Sequence, residues 1–293
     1  MKIKFITSIY SDLHGTEFGG RVGRNGHYLH SLLALLKMTD ADFICYTSDR
    51  ELERLRSFYY YENNIPEEKL KLVVSDIGNT KFKELINSNK NIEQTKKSDR
   101  CIEIQYSKFH WWWNEDKSYD YYYWIDAGLS HSGLFPVKYL GTKDYYKQMF
   151  ECSLFNNKFL KNLISYTGDK FYMIGKDNVK HYWSGTVDPK WYTQYDRSLH
   201  FIGGIFGGHK NNWDNIVNLF EGYVKNVLEN DKTLPHEENI MSLMYYNHKD
   251  LFKISTFDHW WCRDNAPAET PNSFFENYRS FDKIFTELNE IYE

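Results

Sequence analysis

The side chains best placed for chemistry lie in residues 119–136, YDYYYWIDAGLSHSGLFP. Residues 119–125 read as a buried strand. That strand delivers one carboxylate, Asp126, to its carboxyl end, where Ala127 and Gly128 leave room for a ligand to come close. Ligands of open α/β sheets settle at that edge. A carboxylate there can hold a divalent cation, and such a cation can neutralise a departing diphosphate. The plainer account of Asp126 is a cap on the turn after the strand.

Two further segments hold unusual residues. In HFIGGIFGGH, residues 200–209, two Gly-Gly pairs interrupt an apolar strand; glycine there marks a bulge or the close approach of another backbone or molecule. The segment is no dinucleotide loop, because it lies late and lacks the acid that should follow on the next strand. In PHEENIM, residues 235–241, Glu237 and Glu238 fall in the first turn of a helix, whose dipole stabilises carboxylates by roughly 0.3–1 kcal/mol each. The clusters Trp111-Trp112-Trp113 and Trp260-Trp261 cannot bury every indole in one core. Trp112 and Trp260 are therefore candidate platforms for a sugar ring, against the alternative of packing beneath a long loop. Arg21, Arg24, Arg100 and Lys108 could meet phosphates, although surface ion pairs explain arginines more often.

These residues need a scaffold, and the chain spells out most of one. Residues 2–9 form a β-branched and aromatic run, residues 27–38 carry leucines at helical spacing, and residues 42–47 make a second strand. This β-α-β opening demands a parallel pair with a right-handed crossover. A third strand is expected at 70–74, a helix in the second part of 77–100, and helical spacing with aromatics at 101–113. Later strands fall at 171–174, 181–186, 201–206 and 251–254, with helices at 216–228 and from Pro235. The expected architecture is α/β, one domain over residues 1–293 with a mixed, mostly parallel central sheet flanked by helices.

Bulk composition narrows the partners. A chain of 293 residues with 41% hydrophobic content can bury a sizeable core, and it is near the upper size of one undivided domain. The formal charge of −4 is spread rather than blocked, so no nucleic-acid partner is expected. Four dispersed cysteines, with no C-x-x-C, argue against a zinc site or a disulfide scaffold and for reduced thiols. The amino terminus is too short and polar for a signal peptide, and no apolar stretch reaches the roughly 20 residues of a membrane span. A soluble cytoplasmic protein is expected, with room for attachment at a membrane surface. The 18% aromatic content, with 24 Tyr and 9 Trp, suits carbohydrate faces, and it suits an AT-rich genome equally.

The series Tyr106-Ser-Lys108, an aromatic cluster, and then Tyr123-Trp-Ile-Asp-Ala-Gly128 resembles the HtrL/YibB family of bacterial and viral proteins, from about Lys4 to about Trp260. The resemblance implies a GT-A glycosyltransferase that uses a nucleotide-diphosphate sugar of UDP or GDP type, a glycan or lipid-linked acceptor, and a divalent metal, Mn2+ or Mg2+. It implies a donor half at about 1–135 and an acceptor half at about 136–293. Thr7, Ser8 and Tyr10 would lie near the nucleobase and ribose, and Lys108 with Arg21 and Arg100 near the phosphates, beside Asp126, Ala127 and Gly128. Gly203 and Gly204 would face the acceptor with Trp112 and Trp260. Glu238, ahead of Glu237, would be the general base of an inverting reaction. Gly128 replaces the second acid of a D-x-D motif, so Asp126 would need His131 and His259 to complete a metal shell. Two rivals remain: a carbohydrate-binding or assembly protein that lost catalysis, and a metal-dependent hydrolase built on Asp126, His131, Asp258 and His259.

Overall fold

A computed structural model describes residues 2–10, 24–88, 99–128, 155–176, 201–231, 234–257 and 288. Its centre is a seven-stranded sheet of order β3-β2-β1-β4-β6-β5-β7. The strands are β1 (Ile3–Ile9), β2 (Asp42–Thr47), β3 (Leu70–Val74), β4 (Tyr121–Ile125), β5 (Phe171–Lys176), β6 (Phe201–His209) and β7 (Phe252–Phe257). Neighbours pair in parallel except where β6 lies between β4 and β5, antiparallel to both. Because β6 alone runs backwards, its first residues reach the edge at which β4 ends.

Helices cover both faces, as the near-continuous apolar strands require. Beneath one face lie α1 (Arg24–Met38), α2 (Asp49–Arg56) with the π-helical turn Ser57–Glu62, and α5 (Asn157–Thr167). They pack Leu32, Leu55, Tyr59 and Leu163 against Phe5, Tyr123 and Ile205. Over the other face lie α3 (Lys81–Ser88), α4 (Asp99–His110), α6 (Lys210–Asp231) and α7 (Glu237–Asn247). In α6, Trp213, Ile216, Val217, Phe220, Val224, Val227 and Leu228 are buried at helical spacing. Each such side chain contributes roughly 1.5–3 kcal/mol by leaving water.

The two halves of the chain share this sheet, since β1–β4 come from the first and β5–β7 from the second. The strands at 42–47 and 70–74 stand where the sequence puts them; that at 201–206 continues to His209, and the strand expected at 181–186 lies outside the described residues. Helices α2 and α5 and the π-helical turn were not anticipated. Gly207 explains one glycine pair: a Cβ there would stand 2.3 Å from the Tyr122 carbonyl oxygen and 2.6 Å from Tyr123 Cα, so only glycine lets β6 lie this close to β4.

Candidate functional site

Asp126 follows β4 directly, and its amide donates to the Gly204 carbonyl at 2.8 Å, which extends the β4–β6 ladder by one rung. Strand alternation puts Asp126 on the face of Trp124. The Trp124 indole donates to Asp126 Oδ1 at 2.8 Å, and Lys108 Nζ approaches the same oxygen at 3.1 Å. The Asp126 side chain keeps 32% of its exposure. This carboxylate is anchored through one oxygen and open to solvent, as a ligand-binding group at a sheet edge should be.

Lys108 comes from the last turn of α4, whose Tyr106 and Phe109 are fixed in the core. Its ammonium is 2.8 Å from Glu237 Oε1 and donates to the Gly203 carbonyl at 3.1 Å. It also lies 5.2 Å from the centroid of the Trp124 ring, within cation–π range. Burial alone would push the lysine pKa down, but Asp126, Glu237 and Glu238 outweigh it and hold the group above its ordinary value. The ammonium is therefore a fixed positive charge shared among three carboxylates.

A bulge brings the glycines to this cluster. The β5 pairing jumps from Met173↔Phe206 to Ile174↔Ile202, so Gly203, Gly204 and Ile205 are extra residues on β6. The Gly203 amide then donates to Glu238 Oε1 at 3.1 Å while its carbonyl accepts from Lys108. A Cβ on Gly203 would fall 2.7 Å from Glu237 Oε1 and 3.1 Å from Lys108 Nζ. The close approach expected of the first Gly-Gly pair is thus made by Lys108 and Glu237 of the same chain.

Glu237 and Glu238 open α7 after the N-cap His236, whose backbone accepts from Asn239 N at 3.0 Å. Tyr106 donates to the Pro235 carbonyl at 2.6 Å and so ties the helix start to α4. The neighbouring acids differ: Glu237 is 2% exposed and paired with Lys108, whereas Glu238 is half-buried. A buried carboxylate in an ion pair is the poorer proton acceptor, and the two acids are held differently, Glu237 by the Lys108 ammonium and Glu238 by the Gly203 amide.

The other sequence candidates are placed less favourably. Thr7 is fully buried and shares with Phe5 and Ile9 the sheet face opposite Asp126; Ser8 is half-buried. Tyr10 is 3% exposed, stacks on Trp111 and donates to the Ser75 carbonyl at 2.8 Å. Trp112 is core: it stacks on Trp213 at 5.7 Å, and the exposed indole of the triplet is Trp113, at 39%. Arg100 lies in α4, while Arg21, His131, Asp258, His259 and Trp260 lie outside the described residues. Among the described residues no group of three His, Cys, Asp or Glu could hold a metal ion. The open oxygen of Asp126 is a hard ligand that suits Mn2+ or Mg2+. No described helix is long and apolar enough to cross a membrane.

No protein-family model matches the chain, and no curated protein matches it. Among solved structures it is similar to mouse xyloside xylosyltransferase 1 in its apo form, with TM-score 0.52 and 9% identity over 95% of this chain and 93% of that one. It is also similar to the galactosyltransferase LgtC in complex with donor and acceptor sugar analogs, with TM-score 0.43 and 8% identity over 98% and 95%. A third, 4-diphosphocytidyl-2C-methyl-D-erythritolsynthase from Anaerococcus prevotii DSM 20548, gives TM-score 0.41 and 12% identity over 96% of each chain. The first of these likenesses, with the mixed seven-stranded sheet, places the chain in the α/β GT-A-like fold class.

Proposed function

We propose that this chain is a glycosyltransferase that moves a sugar from a nucleotide-diphosphate donor to a hydroxyl acceptor. One observation carries the reading: Asp126, Lys108, Gly203 and Glu238, from four separate elements, converge at the carboxyl edge of a GT-A-like sheet. The resemblance of Tyr106–Lys108 and Tyr123–Gly128 to the HtrL/YibB family, and the likeness in fold to mouse xyloside xylosyltransferase 1, agree with it.

In this proposal Asp126 and Lys108 border the donor diphosphate, Lys108 supplying a charge that stays positive at neutral pH. Glu238 takes the proton of the acceptor hydroxyl. The acceptor oxygen then bonds to the anomeric carbon as the carbon–phosphate oxygen bond breaks, and the electron pair leaves with the nucleoside diphosphate. Attack opposite the leaving group inverts the anomeric centre. Glu237 stays out of the proton transfer and holds Lys108. Through the open oxygen of Asp126, with His131 and His259 as the proposed remaining ligands, a bound Mn2+ or Mg2+ would neutralise the charge on the departing diphosphate. The donor half comprises about residues 1–135 and the acceptor half about 136–293.

The test is a thermal-shift screen of UDP and GDP with and without Mn2+, followed by sugar transfer or donor hydrolysis by wild type and Asp126→Asn. Specific binding raises the melting temperature by mass action, and Asp126→Asn is expected to abolish turnover. Undiminished turnover in that variant removes Asp126 from the site. Gly128, standing where a second acid would be, favours one rival, a carbohydrate-binding protein that has lost catalysis. Release of nucleotide from a donor sugar with Mn2+ excludes it.

A further inference from the structure

We infer that Trp124 is a positioning residue for Asp126, fixing one carboxylate oxygen so that the other is offered outward. The inference rests on the donor-site reading of Asp126 and adds to it a residue that touches no ligand itself.

Two donors converge on Oδ1, the Trp124 indole N–H at 2.8 Å and Lys108 Nζ at 3.1 Å. With the Asp126 amide bonded to the Gly204 carbonyl at 2.8 Å, both ends of the residue are held, and rotation about its side-chain bonds would break two charge-assisted contacts. The indole is itself immobilised. It is 1% exposed and stacks on Trp111 at 5.8 Å and 23° and on Phe206 at 6.3 Å and 23°. Trp111 in turn stacks on Tyr46 at 4.8 Å and 6°, and its indole N–H donates to Ser75 Oγ at 3.2 Å. Trp124 also presents its ring to the Lys108 ammonium at 5.2 Å. One side chain therefore steadies both charges that meet at Oδ1.

This explains a residue choice that packing leaves open. A phenylalanine or tyrosine at position 124 could join the same stack, but neither carries the ring N–H with which the indole reaches Asp126, two residues along the strand. Positioning of this kind matters because a site must hold its polar groups within a fraction of an ångström.

The test uses the whole chain and measures the affinity of UDP and GDP with Mg2+ for wild type, Trp124→Phe, Asp126→Asn and the double variant. Phenylalanine keeps the stack and removes the donor. Trp124→Phe is expected to weaken the better-bound nucleotide about tenfold, and the double variant to bind no worse than Asp126→Asn. A second readout separates positioning from packing. Of the nine indole N–H resonances, the one lost in Trp124→Phe should move in Asp126→Asn and again when the nucleotide binds. Wild-type affinity in Trp124→Phe, losses that multiply in the double variant, or a resonance indifferent to Asp126 would each overturn the inference. A protein that binds neither nucleotide, or whose Asp126→Asn binds normally, would instead overturn the donor reading from which it starts.

Discussion

Replacing Lys108 by methionine isolates the charge at the centre of the site. The substitution keeps most of the stem's volume, so packing should change by less than about 1.5 kcal/mol. What it removes is the ammonium 2.8 Å from Glu237, and the two side chains retain only 10% and 3% of their exposure, so solvent screens little of the interaction. Breaking one side of a buried pair costs about 3–5 kcal/mol, because the remaining charge stays buried. At about 2 °C per kcal/mol for a chain of this length, the melting temperature should fall by about 6–10 °C. Urea unfolding followed by tryptophan fluorescence gives the free energy directly. Adding Glu237→Gln should recover part of the loss, since it discharges the stranded carboxylate. The pH dependence has a definite sign. The lysine pKa is raised in the folded protein, so its stabilisation is fully present below the unfolded value of about 10.4 and fades only as pH climbs through the folded one. The gap between wild type and variant should therefore be constant from about pH 7 to about pH 9. A loss under about 1 kcal/mol, or a double variant whose loss is the sum of the single ones, would refute the reasoning.

Two other variants probe neighbouring parts of the cluster. Glu238→Gln should lower transfer by about a hundredfold or more while UDP or GDP affinity is unchanged, because it removes the proton acceptor and leaves Asp126 and Lys108 in place; retained transfer would put the base elsewhere. Gly203→Ala drives a Cβ to 2.7 Å from Glu237 Oε1 and should destabilise by about 1–3 kcal/mol. Gly222→Ala in α6, where nothing lies within 4 Å of the added carbon, should instead stabilise by up to about 1 kcal/mol. Urea midpoints compare the two, and equal shifts would count against the close approach at Gly203.

Strands β1 and β4, IKFITSI and YYYWI, were legible because they are apolar enough to be buried on both faces. Helix α6 was legible for a related reason, its apolar residues recurring at 3.6-residue spacing. Helix α5 was missed although its caps were on view: Asn156 accepts from the Phe159 amide at 3.0 Å, and Gly168 ends the helix at φ +57°. The short α2 was masked by six charged residues in DRELERLR, which leave Leu55 as its one buried contact. At the site, Asp126 could be picked out from its place at the end of a strand, and Lys108 from the Tyr106-Ser-Lys108 element of the family resemblance. The convergence of Gly203 and Glu237 on that lysine could not, since it depends on a three-residue bulge in β6 and on the docking of α4 against α7. The indole of Trp124 belongs to the core, as a buried strand at 119–125 implies. Its second duty follows from strand alternation, which puts residues 124 and 126 on one face, and that signal was present in the motif itself.

The span of chain that Lys108 and Glu237 must bridge, 129 residues, sets an order of events during synthesis. A polypeptide emerging from the ribosome could complete β1 to β4 and thread Asp126 onto its strand long before α7 exists. Until Pro235 emerges to receive Tyr106, and Glu237 to receive the ammonium, the lysine has no counter-ion on that side. Contacts this distant form slowly, so the cluster closes near the end of folding, and a chain broken off before α7 would contain the aspartate without the buried partner of its lysine.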